Sequence, residues 1–390
     1  MTFPTKLLGD VCQTFTGGTP SRTKPQYFGG GIPWVKITDM LQGTVLGTEE
    51  SLSDEGIANS SAKVLPVGTV LISIFATIGR TAVLGIEAAT NQAIAGVVPK
   101  DTQQLQPDYL RYFLDSKHSE LNRVARGVAQ PNVNQGILKG LEIPVPPLPD
   151  QRRIVDLLSR AEGIVRLRRE AEKKAAEFIP ALFLDMFGDP ATNPKGWAVR
   201  KVSDFVSRFE GGKNIQAGSE NGSLYRILKV SAATSGIYRE SESKPSPDGY
   251  SPPTSHIVRA GDMLFSRANT EELVGATAIV DRTDGKTLLP DKLWRFVWAE
   301  PVEPAYMHAL FQSSHVRREL GKLSSGTSAS MRNISQGKLF DFQVSIAPYS
   351  DQKAFSERSA AVQSILSQQS AATAKAQATF DALLARVFSR

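Results

Sequence analysis

The sequence has a single cysteine, Cys12, and four histidines. One thiol leaves no internal disulfide and no thiolate metal centre, and it points to a reducing compartment. The histidines show no HExxH or other ligand spacing, and His308 and His315 read as surface or packing residues. At the start, MTFPTKLLGD lacks a charged stretch followed by an apolar run, so no signal peptide is expected. The longest apolar run, Val70 to Gly79, is too short and too β-branched to span a membrane. A GxxxxGK[ST] phosphate loop, a GxSxG elbow and the Asn/Asp-Pro-Pro-aromatic tetrapeptide of amino-methyltransferases are all absent. Pro290-Asp291-Lys292 could be forced into a nuclease pattern but reads better as a loop between strands. Charge is not extreme: +6 on 390 residues permits a polyanion partner without requiring one.

What the sequence does have is an internal repeat. Asp10 followed by Gly17-Gly18 matches Asp204 followed by Gly211-Gly212. WVKIT (34–38) matches ILKVS (227–231), and LPVGTVLIS (65–73) matches VRAGDMLFS (258–266). GRTAVL (79–84) matches GATAIV (275–280), and PDYLRYFLDS (107–116) matches PAYMHALFQS (304–313). Gln135-Gly136 and Asp150-Gln151 recur as Gln336-Gly337 and Asp351-Gln352. The blocks keep their order at an offset of about 193 to 201 residues, the signature of duplication. Each half reads as a strand-rich head carrying one short helix, then a proline junction, then a long helix.

The first long helix is expected from Gln151 to near Phe187, N-capped by Asp150, stopped by Gly188 and kinked or broken just before Pro180. Ile154, Leu157, Ala161, Ile164, Ala171, Ala175, Phe178 and Leu182 form a heptad-like seam, interrupted by Arg168. The second seam is Phe355, Val362, Ile365, Ala372, Ala376, Phe380, Leu383 and Val387. Each helix would be about 55 Å long, too long to bury its stripe on its own head, so the two are expected to pack together.

These features resemble one family: the DNA-specificity subunits of type I restriction-modification systems. The resemblance lies in the two heads opening on Asp and Gly-Gly, the VGTVLIS/AGDMLFS block, the junctions PLPDQRRIV and APYSDQKAF, and FLDMFGD followed by NPKGW. It implies an α+β fold: two mixed α/β target recognition domains with pseudo-two-fold symmetry, joined by two long antiparallel coiled-coil helices. The expected divisions are 1–149 and 189–350 for the heads, 150–188 and 351–390 for the helices. It also implies that each head reads one half of a split double-stranded DNA target. The helices would bind two copies of an adenine-N6 methyltransferase subunit that uses S-adenosylmethionine. A translocase-nuclease subunit using ATP and Mg could join them. The chain itself would hold no catalytic residue, cofactor or metal, and would be cytoplasmic. Heads reading one face of B-DNA would sit about one helical turn, near 34 Å, apart.

Loops at strand ends are where base contacts are expected. In the first head the candidates are Arg22, Lys24, Tyr27, Arg80, Arg126, Gln130, Asn132 and Asn134. In the second they are Lys213, Asn214, Arg267, Asn269, Ser330, Arg332 and Asn333. Arginine suits a guanine edge and Asn or Gln an adenine edge, although Asn and Gln also stabilise turns. Arg152, Arg153, Arg160, Arg166, Arg168 and Arg169 make one end of the first helix basic, as a salt-bridged face or as a partner surface. Two other readings stay open: a scaffold with two heads for something other than nucleic acid, and a fragment of a fused restriction-methylation enzyme.

Overall fold

The computed structural model describes residues 3–41, 43–75, 77–125, 132–220, 223–328 and 331–388. The chain forms two compact units that do not follow chain order: residues 1–170 with 371–390, and residues 171–370. The fold is α+β.

In the first unit a five-stranded sheet runs in the order Cys12–Thr16, Ile94–Pro99, Val70–Ser73, Thr81–Leu84, Thr44–Val45. A three-stranded sheet, Glu50–Leu52, Phe28–Val35, Ala89–Thr90, is formed by strands that alternate with these along the chain. The block VLIS is buried at all its positions, and strand periodicity explains why. Val70 and Ile72 pack with Tyr109 and Phe113 of helix Pro107–Ser116. Leu71 faces the other way, among Val35, Met40 and Leu84. The second unit repeats this. Met263 and Phe265 pack with Tyr306 and Phe311 of helix Pro304–Gln312, while Leu264 joins Leu228 and Val280. Its central sheet is Val206–Gly211, Leu293–Trp298, Met263–Ser266, Thr277–Ile279.

The Gly-Gly pairs mark close backbone approaches. A Cβ on Gly17 would lie 2.1 Å from the Asn91 carbonyl oxygen, and one on Gly212 would lie 1.7 Å from that of Leu289. Only hydrogen fits at either place.

The junctions explain the repeated glutamine. Gln151 is fully buried. Its Nε2 donates to the carbonyls of Gln104 (2.7 Å) and Pro146 (2.9 Å), and its Oε1 accepts from the Gln106 backbone N–H (3.0 Å). Gln352 repeats this, donating to the Ala347 carbonyl (2.8 Å) and accepting from the Glu303 N–H (3.1 Å). Gln106 and Glu303 precede the two short helices and lack side-chain caps of their own. Each glutamine therefore ties a long-helix start to a short-helix start.

The long helices differ from expectation in start and phase. The first begins at Leu148, so Asp150 sits inside its first turn rather than at the cap. It ends at Ala175, and a separate helix, Phe178–Phe187, follows. The break lies before Pro180, and Gly188 (φ +78°) terminates the second piece. On the first helix Leu158, Val165 and Ala175 are buried, with Ile154, Ala161 and Arg168 half-buried; Leu157, Ile164 and Phe178 of the expected seam are 47, 52 and 60% exposed. Apolar residues occupy both of two adjacent positions, 157/158 and 164/165. One position rotates a helix by about 100°, so spacing alone did not fix the inward side. The second helix runs Tyr349–Phe388. Phe355, Phe380, Leu384 and Phe388 of it are buried, while Ile365 is exposed. Within the first unit Leu158 and Val165 share a core with Phe380, Leu384 and Phe388, and Arg169 donates to Gln377 (2.8 Å). Within the second, Phe183 and Phe187 pack around Phe355 and Tyr306.

Candidate nucleic-acid interface

In the first head, Arg22 pairs with Glu50 (2.8 Å) and lies over Phe28 and Trp34 at 4.4 and 5.2 Å. Its hydrogen bond to Glu50, joined by one from Lys36, holds that carboxyl below its usual range. Tyr27 is buried, 4% exposed, and its hydroxyl accepts from Lys24 (3.1 Å). Its ring is thus a packing surface and not an open stacking face. The Lys24–Tyr27 bond raises the lysine's pKa. Asn134 is committed as well: its Oδ1 caps helix Gln135–Lys139 by accepting from the Ile137 N–H (2.9 Å). Arg80 follows Gly79 (φ +88°), and its backbone N–H donates to Ser73 Oγ (2.9 Å). Asn132 is half-buried. Arg126, Gln130 and Ser330 lie outside the described residues.

The second head brings four candidates together. Strand Ala268–Asn269 pairs antiparallel with Met331–Asn333, setting Ala268 opposite Asn333 and Asn269 opposite Arg332; Ser325–Ser328 completes a ribbon. Arg267 donates to the Asp291 carbonyl (2.7 Å) and to Asn333 Oδ1 (3.0 Å), and lies 5.5 Å from the Trp294 ring centre. Trp294 stacks on Phe209 and Phe265 at 5.4 and 6.4 Å. Asn269 is turned inward: it accepts from the Thr270 N–H (2.8 Å) and donates to Ser266 Oγ at 3.4 Å. Arg332 donates to Ser324 Oγ (3.1 Å) and to the carbonyls of Gly326 (3.3 Å) and Ser324 (3.4 Å). Lys213 and Asn214 are exposed on the loop after Gly212. Burial and then the charge of Lys213 lower the His256 pKa.

Sequence reasoning missed Asp291 and Trp294. The loop Pro290–Lys292 does join two strands, Thr287–Leu288 and Leu293–Trp298. Its backbone also forms the floor of this corner, accepting from the Gly212 N–H (3.0 Å), the Arg267 N–H (3.1 Å) and the Arg267 side chain. The Gly211-Gly212 repeat was the available signal, since a Cβ on Gly211 would meet Trp294 at 2.8 Å.

At the other end of strand Met263–Ser266 lies an open groove of about 560 Å³ lined by Arg208, Glu210, Asp262 and Arg295 among others. Its charges close on themselves. The buried Arg295 bonds Asp262 (2.8 Å), Glu210 (3.2 Å) and the carbonyls of Ile257 and Ser255. On the first helix Arg160 pairs with Asp156 (3.0 Å) and Arg166 with Glu170 (3.2 Å), the salt-bridged face. Among the described residues no group of His, Cys, Asp or Glu is placed to hold a metal ion. Nor is any helix there long and apolar enough to cross a membrane.

The chain thus carries two α+β units in which matching sequence blocks are packed alike. Residues 2–177 match the sequence model of the type I restriction modification DNA specificity domain. The chain is 28% identical over 244 residues to the MjaIX type I restriction enzyme specificity subunit of Methanocaldococcus jannaschii, covering 60% of this chain and 54% of that protein. It is 28% identical over 185 residues to the EcoR124I/EcoR124II specificity subunit of Escherichia coli, covering 44% and 45%. The matches thus span about half the length of these curated relatives. A solved structure concerned with complex assembly and conformational transition of the type I R-M system has the same fold. It gives a TM-score of 0.61 at 18% identity over 99% of this chain and 97% of that one. Over residues 2–177, therefore, the chain is similar to the DNA specificity domain of type I restriction-modification systems.

Proposed function

We propose that the chain is the non-catalytic DNA-reading subunit of a type I restriction-modification complex in the cytoplasm. Each head reads one half of a split, asymmetric target. The observation that carries this is the contrast between shared cores and unlike rims. Val70–Ser73 and Met263–Ser266 are packed alike, but the loops that follow them differ in length and chemistry. One runs from Ile74 to Arg80, and the other opens on the Arg267–Asn333 pair. Unlike rims suit unlike half-sites, and the net charge of +6 is modest enough that partners would share the phosphate contacts.

Two adenine-N6 methyltransferase copies dock along the long helices, bringing S-adenosylmethionine; a translocase-nuclease bringing ATP and Mg joins through them. Exposed Leu157, Ile164 and Leu167 in the first unit, and Phe178, Leu184 and Ile365 in the second, support protein docking there. Apolar side chains grouped on a helix face mark an interaction surface. The test is equilibrium binding of the purified full chain to duplex DNA over a range of salt. Affinity should fall steeply and linearly in log–log form as counterions are displaced. Salt-independent binding, or none, contradicts a DNA reader. Binding of S-adenosylmethionine by the chain alone contradicts the non-catalytic assignment.

A further inference from the structure

The geometry points to Arg267 as the base-reading cation of the second head, to the acceptor edge of a guanine as its target, and to Arg332 as the residue that positions the ribbon. This rests on the DNA-reading function proposed above. The two arginines belong to the paired segments of one ribbon, yet they use their donors differently. Arg332 gives Nε, Nη1 and Nη2 to Ser324 and Gly326 of its own hairpin. It closes the ribbon on itself. Arg267 gives Nε to the Asp291 carbonyl and Nη1 to Asn333 Oδ1; among the described residues its Nη2 donates to nothing.

Three surroundings fix the Arg267 side chain: the Asp291 carbonyl, the Asn333 amide and the Trp294 ring face. Trp294 is in turn held by two stacked aromatic rings. A guanidinium held this way loses little entropy on binding, and its unspent donors keep one direction. Asn333 is exposed and has committed its oxygen to Arg267, so its amide N–H groups remain. The Arg267–Asn333 pair therefore offers donors only. In the major groove a guanine shows two adjacent acceptors, N7 and O6, whereas an adenine puts a donor beside its acceptor. A donor-only pair matches guanine and is mismatched to adenine.

The experiment selects duplexes from a random library with the purified full chain and with the variants Arg267→Lys and Arg332→Lys, and sequences what binds. Lysine keeps the charge and removes the fork. Arg267→Lys should relax one guanine position in one half-site, with roughly tenfold to hundredfold loss of discrimination there, and leave the other half unchanged. Arg332→Lys should weaken all sequences alike without changing the motif. Independently of any variant, 7-deazaguanine placed at that one position should weaken binding of the unaltered chain about tenfold. An unchanged motif with Arg267→Lys overturns the assignment, as does uniform loss of binding with unchanged melting, which would make Arg267 a phosphate anchor. Insensitivity to 7-deazaguanine at every guanine of the site overturns it too. Selection of no motif by the unaltered chain refutes the DNA-reading function itself, a different and recognisable failure.

Discussion

Gln151 and Gln352 do the same work at the two helix starts, each with both ends of its amide engaged in a buried site. Truncation leaves a buried carbonyl and a buried N–H unpaired, each a costly state. Gln352→Ala should destabilise the second unit by about 1 to 3 kcal/mol, measured by urea unfolding of the full chain; an unchanged midpoint would show the tie to be incidental. A second test concerns His308. It accepts or donates a hydrogen bond at Nδ1 to Thr277 Oγ1 (2.9 Å), and burial pushes its pKa from 6.5 down to about 4. The unfolded chain takes up this proton first, so the contribution to stability is full above about pH 6.5 and is lost as pH falls toward 4. His308→Gln should flatten the melting temperature against pH across that window, and an unaltered slope would rule the histidine out as its source. The sequence marked both glutamines through the repeat. It could not show that Tyr27 is enclosed or that Asn134 is a helix cap, because burial and capping depend on neighbours brought in by the fold.

Among the elements, the long helices show most clearly what patterning can and cannot fix. Their existence, the break before Pro180 and the stop at Gly188 follow from residues local to the helix. The inward side of the first does not, because Leu157/Leu158 and Ile164/Val165 offer two apolar stripes one position apart. In the second helix the seam members Phe355 and Phe380 are buried. Phe380 shares a core with Tyr112, at 6.3 Å between ring centres, and with Leu158. Phe380→Ala should cost about 3 kcal/mol through the cavity it leaves, read by thermal or urea unfolding. Leu157→Gln, on the exposed stripe, should leave stability within about 0.5 kcal/mol while weakening capture of a co-expressed methyltransferase. The opposite pattern, stability lost at Leu157 and kept at Phe380, would mean the burial phase is wrong. The Arg267 corner was half legible. Arginine and asparagine in glycine-rich loops pointed to it, but Asp291 and Trp294 enter only through strand pairing between segments far apart in sequence.

For the whole molecule, duplication followed by divergence is the simplest account. Equivalent positions keep the core and change the chemistry around it. In the first head Arg111 grips Glu162 of the long helix through two hydrogen bonds, 3.0 and 2.7 Å, with Tyr112 adding a third at 2.9 Å. At the matching place in the second head stand His308, Thr277 and Gln312, a neutral set. The repeat and its order were readable from the chain alone; this divergence in how the cores are tied was not, since it needs partners from three segments. The central claim is that the two divergent heads read two different half-sequences. The most direct measurement co-expresses the full chain with an adenine-N6 methyltransferase subunit of a type I system that it binds, and maps methylated adenines across the host genome. The account predicts one split motif: two short, unlike halves around a fixed gap. A palindromic motif, a single undivided motif, or no new methylation from a folded and assembled complex would contradict it.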